Sequence, residues 1–384
     1  MSETPLEYER GSANPRFHGL TISRLFMSRP SCLIHLDAPV NFPLGEPFLV
    51  RGWVASLTPI LAVRAGEAND PGLAFGDRPD VRAAHPDYPH RTGFCGYASF
   101  ACLQGDDLHL ACELADRVEP FVQALPRLEP PPDKVQRLAR IRPRLRRDLP
   151  FTETAFNFNF LTAELREKFR VTETDNVSGF DYSHKPLEIV EGLPHGLILD
   201  CGAGNRPRCH PNVINLEIVP YPSTDVLAVA EQLPFLDDTF DAIISCAVLE
   251  HVKDPFAAAR EIVRVTKPGG AIYADVPFLQ PYHGYPSHYY NMTSQGLVNL
   301  FQDSCEIQRT GVPDYGRPIW TLSWFLNSYL DGLPPATREE FANLRVADLL
   351  GHGNSYLHRT FVRELPAAKN LELACVTSVL AVKR

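Results

Sequence analysis

Between residues 31 and 114 apolar and polar positions alternate in short runs, whereas beyond residue 160 helical periodicity is separated by continuous apolar stretches. The alternating runs predict strands at 31–40, 48–56, 60–65, 93–101 and 108–114, each punctuated by Pro, Gly, Asn or Asp. Strands at this spacing without intervening helices predict a β-sandwich or barrel. Farther along, helices are predicted at 161–170 and 185–191, and buried strands at 196–201, 213–218, 241–247 and 270–276. A further helix is predicted over 254–266, with Asp254 at the N-cap, Pro255 at the first helical position, and an apolar face of Phe256, Ala259, Ile262 and Val263. Alternating helices and strands imply a parallel, doubly wound α/β sheet that binds ligands at the carboxyl ends of its strands.

The segment joining the two patterns, 121–150, is rich in proline and carries eight Lys/Arg against three Asp/Glu, a net of +5. It reads as a stiff linker with one short basic helix, its face formed by Val135, Leu138 and Ile141 and its end set by Pro143. The expected division is an N-terminal tail over 1–26, a β-sandwich domain over 27–120, the linker over 121–150 and an α/β domain over 151–384. Inside the first domain, the stretch from Arg78 to Phe94 forms a Pro- and His-punctuated crossing loop followed by a Gly-Phe strand. This loop resembles that of the immunoglobulin-like accessory modules attached to bacterial glycan-modifying enzymes.

Composition narrows the function classes. The chain of 384 residues has 44% hydrophobic and 22% charged residues, the balance of a globular protein. No apolar run approaches the ~18 residues of a membrane-spanning helix, and Met1 to Arg10 has no apolar core of a signal peptide, so a cytoplasmic location is expected. Nine widely spaced cysteines without a C-x-x-C pair argue against a disulfide framework and a zinc site, and no metal is expected. The net charge of −9 disfavours nucleic acid as a partner. Against that background the basic stretch 134–147 could meet anionic lipid or a phosphorylated substrate, or simply be a solvated interdomain helix.

The chemistry is concentrated in Leu197-Ile-Leu-Asp-Cys-Gly-Ala-Gly-Asn-Arg206, an apolar strand ending in Asp200 and then Gly202-x-Gly204. Missing side chains at the glycines let backbone N–H groups approach a ligand closely. A dinucleotide site would want a third glycine, but position 207 is proline, and an acid at the strand end suits a cationic ligand. Seventeen positions after Asp200, Glu217 stands where a ribose diol could donate to it. Then follow Ala230-Glu-Gln-Leu-Pro-Phe235, Asp238-Thr-Phe-Asp241, the strand through Glu250-His251, and Arg264-Val-Thr-Lys-Pro-Gly-Gly270.

This ordered set resembles the class I S-adenosylmethionine-dependent methyltransferases of the small-molecule type. The resemblance implies a Rossmann-like seven-stranded sheet closed by an antiparallel hairpin, placed at 305–311 and 371–383 with a helical stretch at 319–350 between. It also implies S-adenosyl-L-methionine as cofactor. Asp200, Gly202, Ala203 and Gly204 would hold its methionine end, Glu217 its ribose, Ala230 and Glu231 would border the adenine, and Ala247 and Leu249 would lie nearby. The stretch from Asn176 to Tyr182 resembles the lead-in that closes over this site. Two departures stand out: 205–212 is too short for the usual helix after the glycine turn, and Val229 replaces a common Asp at the adenine.

Methyl transfer from a sulfonium needs alignment and exclusion of water, and a sugar hydroxyl needs a general base as well. The loop after the fifth strand, 277–293, packs His283, His288, Tyr282, Tyr285, Tyr289 and Tyr290 into nine residues, suited to stacking on a sugar ring. His283 is the leading candidate base, followed by His288 and then His251. The loop resembles that of methyltransferases of surface-polysaccharide assembly, which makes a saccharide or glycan precursor the expected acceptor. A small aromatic, quinone or lipid acceptor, with 320–330 forming an apolar cavity, is the alternative, and a non-catalytic scaffold is a third.

Overall fold

The computed structural model describes residues 30–39, 41–44, 48–65, 72–171, 179–284 and 287–383. The expected tail over 1–26, residues 176–178 of the lead-in, Tyr285 and Pro286 lie outside them. The N-terminal strands are β1 (Cys32–Ala38), β2 (Phe48–Ser56), β3 (Ile60–Ala65), β4 (Ala74–Gly76), β5 (His90–Ala98), β6 (Leu103–Gln104), β7 (Asp107–Leu114) and β8 (Val118–Ala124), with helix α1 (Pro79–Ala84) before β5. They form two antiparallel sheets, one ordered β1-β2-β5-β4 and the other β3-β7-β6 with β8 added on β7. Val50, Val54 and Phe94 from the first and Val63, Leu108, Leu110 and Cys112 from the second share one apolar core. Strand β7 shows why: every second side chain is buried, as a strand with one face on a core requires.

The segment expected as a linker is built into both units. Val118–Ala124 continues the second sheet, and α2 (Pro132–Ile141) packs Leu138 and Ile141, with Leu145 after it, into the main α/β core. Val135, placed on the apolar face by periodicity, is half-exposed, while Lys134 and Arg137 are buried. Both cations converge on Asp225, which is itself fully buried: Lys134 Nζ donates to Oδ1 at 3.2 Å, and Arg137 Nε to Oδ2 at 3.1 Å. Arg140 donates to the carbonyls of His195 and Gly196, Arg142 pairs with Glu153 and Arg146 with Asp148. Lys134 and Arg137 are thus paired inside the protein, where low dielectric favours pairing, whereas Arg140, Arg142 and Arg146 make their contacts at the exposed surface.

The α/β unit continues through β9 (Thr152–Glu153), β10 (Phe158–Asn159), α3 (Ala163–Phe169), α4 (His184–Gly192), β11 (Ile198–Cys201), β12 (Val213–Glu217), β13 (Val226–Leu227), β14 (Phe240–Cys246), α5 (Pro255–Val265) and β15 (Thr266–Asp275). Its sheet runs β15-β14-β11-β12-β13-β10-β9, parallel except for β9. The central strands are buried on both faces, which explains their largely apolar sequences. Helix α5 starts as expected, with the Asp254 carboxylate accepting from Ala257 N–H at 2.9 Å. Its buried face is Ala258, Ala259, Ile262 and Val265, and Phe256 is half-exposed instead of packing inward.

Seven strands are present, but the closing hairpin is not among them. Residues 305–311 form no strand, and 371–383 ends helix α10 and continues as exposed chain. Ile307 is the one large apolar side chain in 306–311, so a strand there has little to bury, while Ala367–Glu372 is rich in helix-favouring residues. The sheet is extended at its opposite edge, by β10 and β9. Helices α6 (Ser294–Asn299), α7 (Pro318–Gly332), α8 (Pro335–Ala342), α9 (Thr360–Arg363) and α10 (Ala367–Glu372) follow, and α7, α8 and α9 surround a small core of Leu333, Phe341, Phe361 and Leu365.

Candidate active site

The glycine turn leaves the carboxyl end of β11. Gly202 has φ +83° and Gly204 φ +65°, conformations open to glycine, and the Gly202 and Ala203 N–H groups donate to Leu216 O. A Cβ on Gly202 would overlap Val248 Cγ2 and stand 2.8 Å from Val248 Cγ1. The chain after β14 therefore lies directly on the turn. Glu217 closes the other side: its carboxylate accepts from Gly204 N–H at 2.8 Å and from Ile218 N–H at 2.7 Å. Burial pushes its pKa above the usual carboxylate value despite these donors.

Asp200 is fully buried and more heavily engaged than the sequence suggested. Its Oδ2 accepts from Arg206 Nε at 2.8 Å and from the Tyr182 hydroxyl. The guanidinium also lies 4.5 Å over the Tyr182 ring and donates to Phe180 O. The cause is the short segment 205–212, which forms no helix and folds Arg206 back under the turn. Asp200 Oδ1 remains buried without a hydrogen-bond partner among the described residues. An orphaned carboxylate oxygen, a turn with no room for a Cβ and an acid at the next strand end fit the ammonium, chain and ribose of S-adenosylmethionine.

The remaining expected cofactor residues divide. Ala230 is buried after β13, and Glu231, its pKa raised by burial, faces the N-terminus of α5 through Asp254 N–H. Val229 packs with Leu161 and Leu227, so the position where an Asp would meet adenine is spent on a core contact. Ala247 is exposed with φ +53°, held by its N–H to Asp275. Leu249 is fully buried and packs in the main core.

The three histidines come together. The His283 ring centroid lies 5.4 Å from that of His251 and 4.4 Å from that of His288. Hydrogen bonds distinguish their roles. His251 Nδ1 meets Ser287 O at 2.7 Å and His283 Nδ1 meets Pro281 O at 2.8 Å, so each must carry its proton there, and neither Nε2 is hydrogen-bonded among the described residues. His288 Nδ1 accepts from His283 N–H and its Nε2 bonds Asn291 Oδ1, so both nitrogens are used. His288 therefore has neither ring nitrogen unengaged, and one of them holds the backbone N–H of His283. Burial lowers the pKa of His283 to about 4 and lowers that of His251, which keeps both rings neutral. Gly284, at φ +88°, passes so close to His251 that a Cβ would stand 2.8 Å from Nδ1.

Two participants had no sequence signal of their own. Glu250 is fully buried beside His251 with both carboxylate oxygens lacking a hydrogen-bond partner among the described residues, and burial raises its pKa to about 8. The Trp324 ring on α7 stands 5.0 Å from His283. Val248 on the glycine turn and Glu250 two residues later tie the turn to the histidine cluster through one short stretch of chain.

Residues 161–274 match the methyltransferase domain family. The match spans β11 to β15 and stops before the loop that carries His283. Curated relatives include an uncharacterized methyltransferase of Schizosaccharomyces pombe, 42% identical over 72 residues, 18% of this chain and 26% of the relative. An uncharacterized methyltransferase of a Mycobacterium species is 43% identical over 61 residues, 16% of this chain and 24% of its own. The chain thus spans about a quarter of the length of the curated relatives it matches. Among solved structures, the YcgJ protein of Bacillus subtilis is 17% identical with a TM-score of 0.27, covering 41% of this chain and 88% of that one. No described helix is long and apolar enough to cross a membrane.

Proposed function

We propose that this chain is a cytoplasmic S-adenosyl-L-methionine-dependent methyltransferase acting on a hydroxyl of a saccharide or glycan precursor. The observation that carries the reading is the junction of the glycine turn with the histidine cluster through Val248, Leu249 and Glu250. When bound, S-adenosylmethionine supplies an electrophilic methyl on a sulfonium. Glu217 accepts from the ribose hydroxyls, the turn leaves room for the methionine chain, and Asp200 Oδ1 accepts from its ammonium. Transfer is an in-line displacement, so the protein's work is to aim the acceptor oxygen at the methyl carbon and keep water out.

His283, whose Nε2 is free, takes the proton of the acceptor hydroxyl, and His288 holds its backbone in place. The exposed Tyr282, stacked with His288, offers a face for a sugar ring. The N-terminal pair of sheets, read as an immunoglobulin-like accessory module, accords with a glycan-directed enzyme. A second reading, an apolar or aromatic acceptor, is favoured by the exposed Ile319, Trp320 and Trp324 at the start of α7 beside His283.

The test is transfer of a labelled methyl group to panels of hydroxylated saccharides and of aromatic acceptors. His283→Ala should lower transfer to a saccharide hydroxyl by roughly 10²–10⁴-fold, the usual contribution of a general base. Unchanged turnover would reject the assignment of His283, and transfer confined to aromatic acceptors would select the second reading.

A further inference from the structure

We propose that Glu250, His251 and His283 form a binding site for a divalent transition-metal ion that holds the acceptor's hydroxyl oxygen. One donor atom from each of the three residues lies within 4.8 Å of the others. Their chemistry is that of a two-imidazole, one-carboxylate ligand set with positions left open, which suits zinc, iron(II), cobalt(II) or manganese(II).

Three independent features of the cluster point to a cation. First, Glu250 is fully buried with neither oxygen hydrogen-bonded among the described residues, and its recorded ionic neighbour is His251 Nε2 at 3.7 Å. A buried carboxyl group whose oxygens meet no partner is costly, and a bound cation would supply that partner. Second, both imidazoles are oriented in the manner of metal ligands. Each donates its Nδ1 proton to a backbone carbonyl, Ser287 O or Pro281 O, which presents Nε2 as the ligand atom and fixes the ring.

Third, the surrounding chain is braced around these side chains. Tyr289 N–H and Tyr290 N–H donate to Glu250 O, His288 Nδ1 accepts from His283 N–H, and Gly284 has no Cβ to displace His251. A tetrahedral ion with bonds of ~2.0–2.1 Å needs donors roughly 3.4 Å apart, so binding would draw the three groups together by about 1 Å. His251 is one-quarter exposed, and three protein ligands leave a tetrahedral ion one position for an acceptor.

The role of the ion rests on the methyltransferase reading and deepens it. A hydroxyl coordinated to the ion ionises more readily and releases its proton to water. Its oxygen then forms the O–C bond as the C–S bond breaks, the electron pair passing to sulfur to leave the thioether. With the ion bound, His283 is a ligand, and the ion takes the place of the free base that His283 provides in the metal-free site.

The direct test is titration of the full chain, stripped by chelator and dialysed, with Co²⁺ followed by its visible absorption and with Zn²⁺ by calorimetry. The expected result is one saturable ion per chain, with affinity falling at least tenfold in both Glu250→Gln and His283→Ala. Thermal unfolding monitors whether each variant folds, and the partly buried His283 carries the test if Glu250→Gln does not. Absence of saturable binding, or binding with unchanged affinity in His283→Ala, overturns the proposal. Because the titration contains no methyl donor, it is separable from the function: donor binding without metal binding sinks the metal site alone, and metal binding without donor binding sinks the enzyme reading alone.

Discussion

Replacing Asp225 by Asn removes the one buried anion shared by two buried cations. Asp225 Oδ1 accepts from Lys134 Nζ and Arg137 Nη2, each at 3.2 Å, and Oδ2 accepts from Arg137 Nε at 3.1 Å and Asn215 N–H at 3.0 Å. Some support survives the change: Lys134 keeps the carbonyls of Pro222 and Thr224, and Arg137 keeps the partly exposed Asp133. Breaking a buried pair from one side typically costs about 3–5 kcal/mol, because the other charge stays out of water. At about 2–4 °C per kcal/mol for a domain of this size, Asp225→Asn should lower the midpoint of thermal unfolding by roughly 6–20 °C. Far-ultraviolet circular dichroism is the suitable assay, since α2 and the sheet it covers both contribute to it. In a cycle with Arg137→Met, the double variant should lose much less than the two single losses added. A shift under about 2 °C for Asp225→Asn, or strict additivity in the cycle, would refute the view that this cluster ties 132–141 to the α/β core.

Glu217→Gln should separate binding from stability. Burial raises the folded-state pKa of Glu217, so the group stabilises the fold when protonated and that stabilisation is lost as pH rises through the raised value. The variant should therefore unfold no earlier at pH 7 and show a weaker dependence of stability on pH just above 4.5. Its affinity for the methyl donor should fall about tenfold or more, the usual loss for a hydrogen bond to a charged group; a destabilised variant with normal affinity would contradict both halves. Gly202→Ala should abolish donor binding, because its Cβ has no space against Val248 and φ is +83°. Adding Val248→Ala should recover thermal stability in part, and failure of any such recovery would show that the Val248 contact is not what excludes the Cβ.

Local signals made much of the α/β unit legible. Strands β11, β12 and β14 are mainly apolar runs followed by or ending in Gly, Glu or Ala, and Asp254-Pro255 marks the start of α5 through its own cap. The glycine turn was equally plain, since its spacing and the acid before it carry their reason within ten residues. What the sequence concealed depends on distant partners. Lys134 and Arg137 look like surface charge until Asp225, almost ninety positions later, is seen beside them. Arg206 looked like part of a loop too short for a helix, and the structure turns it onto Asp200.

The ends of the sheet were misread for a related reason. Edge strands are defined by the neighbour they pair with, and Phe158–Asn159 is too short to announce itself before β13 receives it. The same holds for the histidines. Their crowding in 277–293 was visible, but which nitrogens remain free is decided by the carbonyls of Pro281 and Ser287 and by the His288 contact. Glu250, next to His251 in the chain, gave no sign that its carboxylate would be buried without donors.

The proposed function requires S-adenosylmethionine to bind at the carboxyl ends of β11 and β12. The most direct measurement is calorimetric titration of the full chain with S-adenosylmethionine and with its demethylated product, S-adenosylhomocysteine, repeated on Gly202→Ala. Saturable one-to-one binding of both ligands to the unaltered chain, lost in Gly202→Ala, is the predicted result. No heat of binding at high protein concentration, or the same affinity with alanine at position 202, would contradict it.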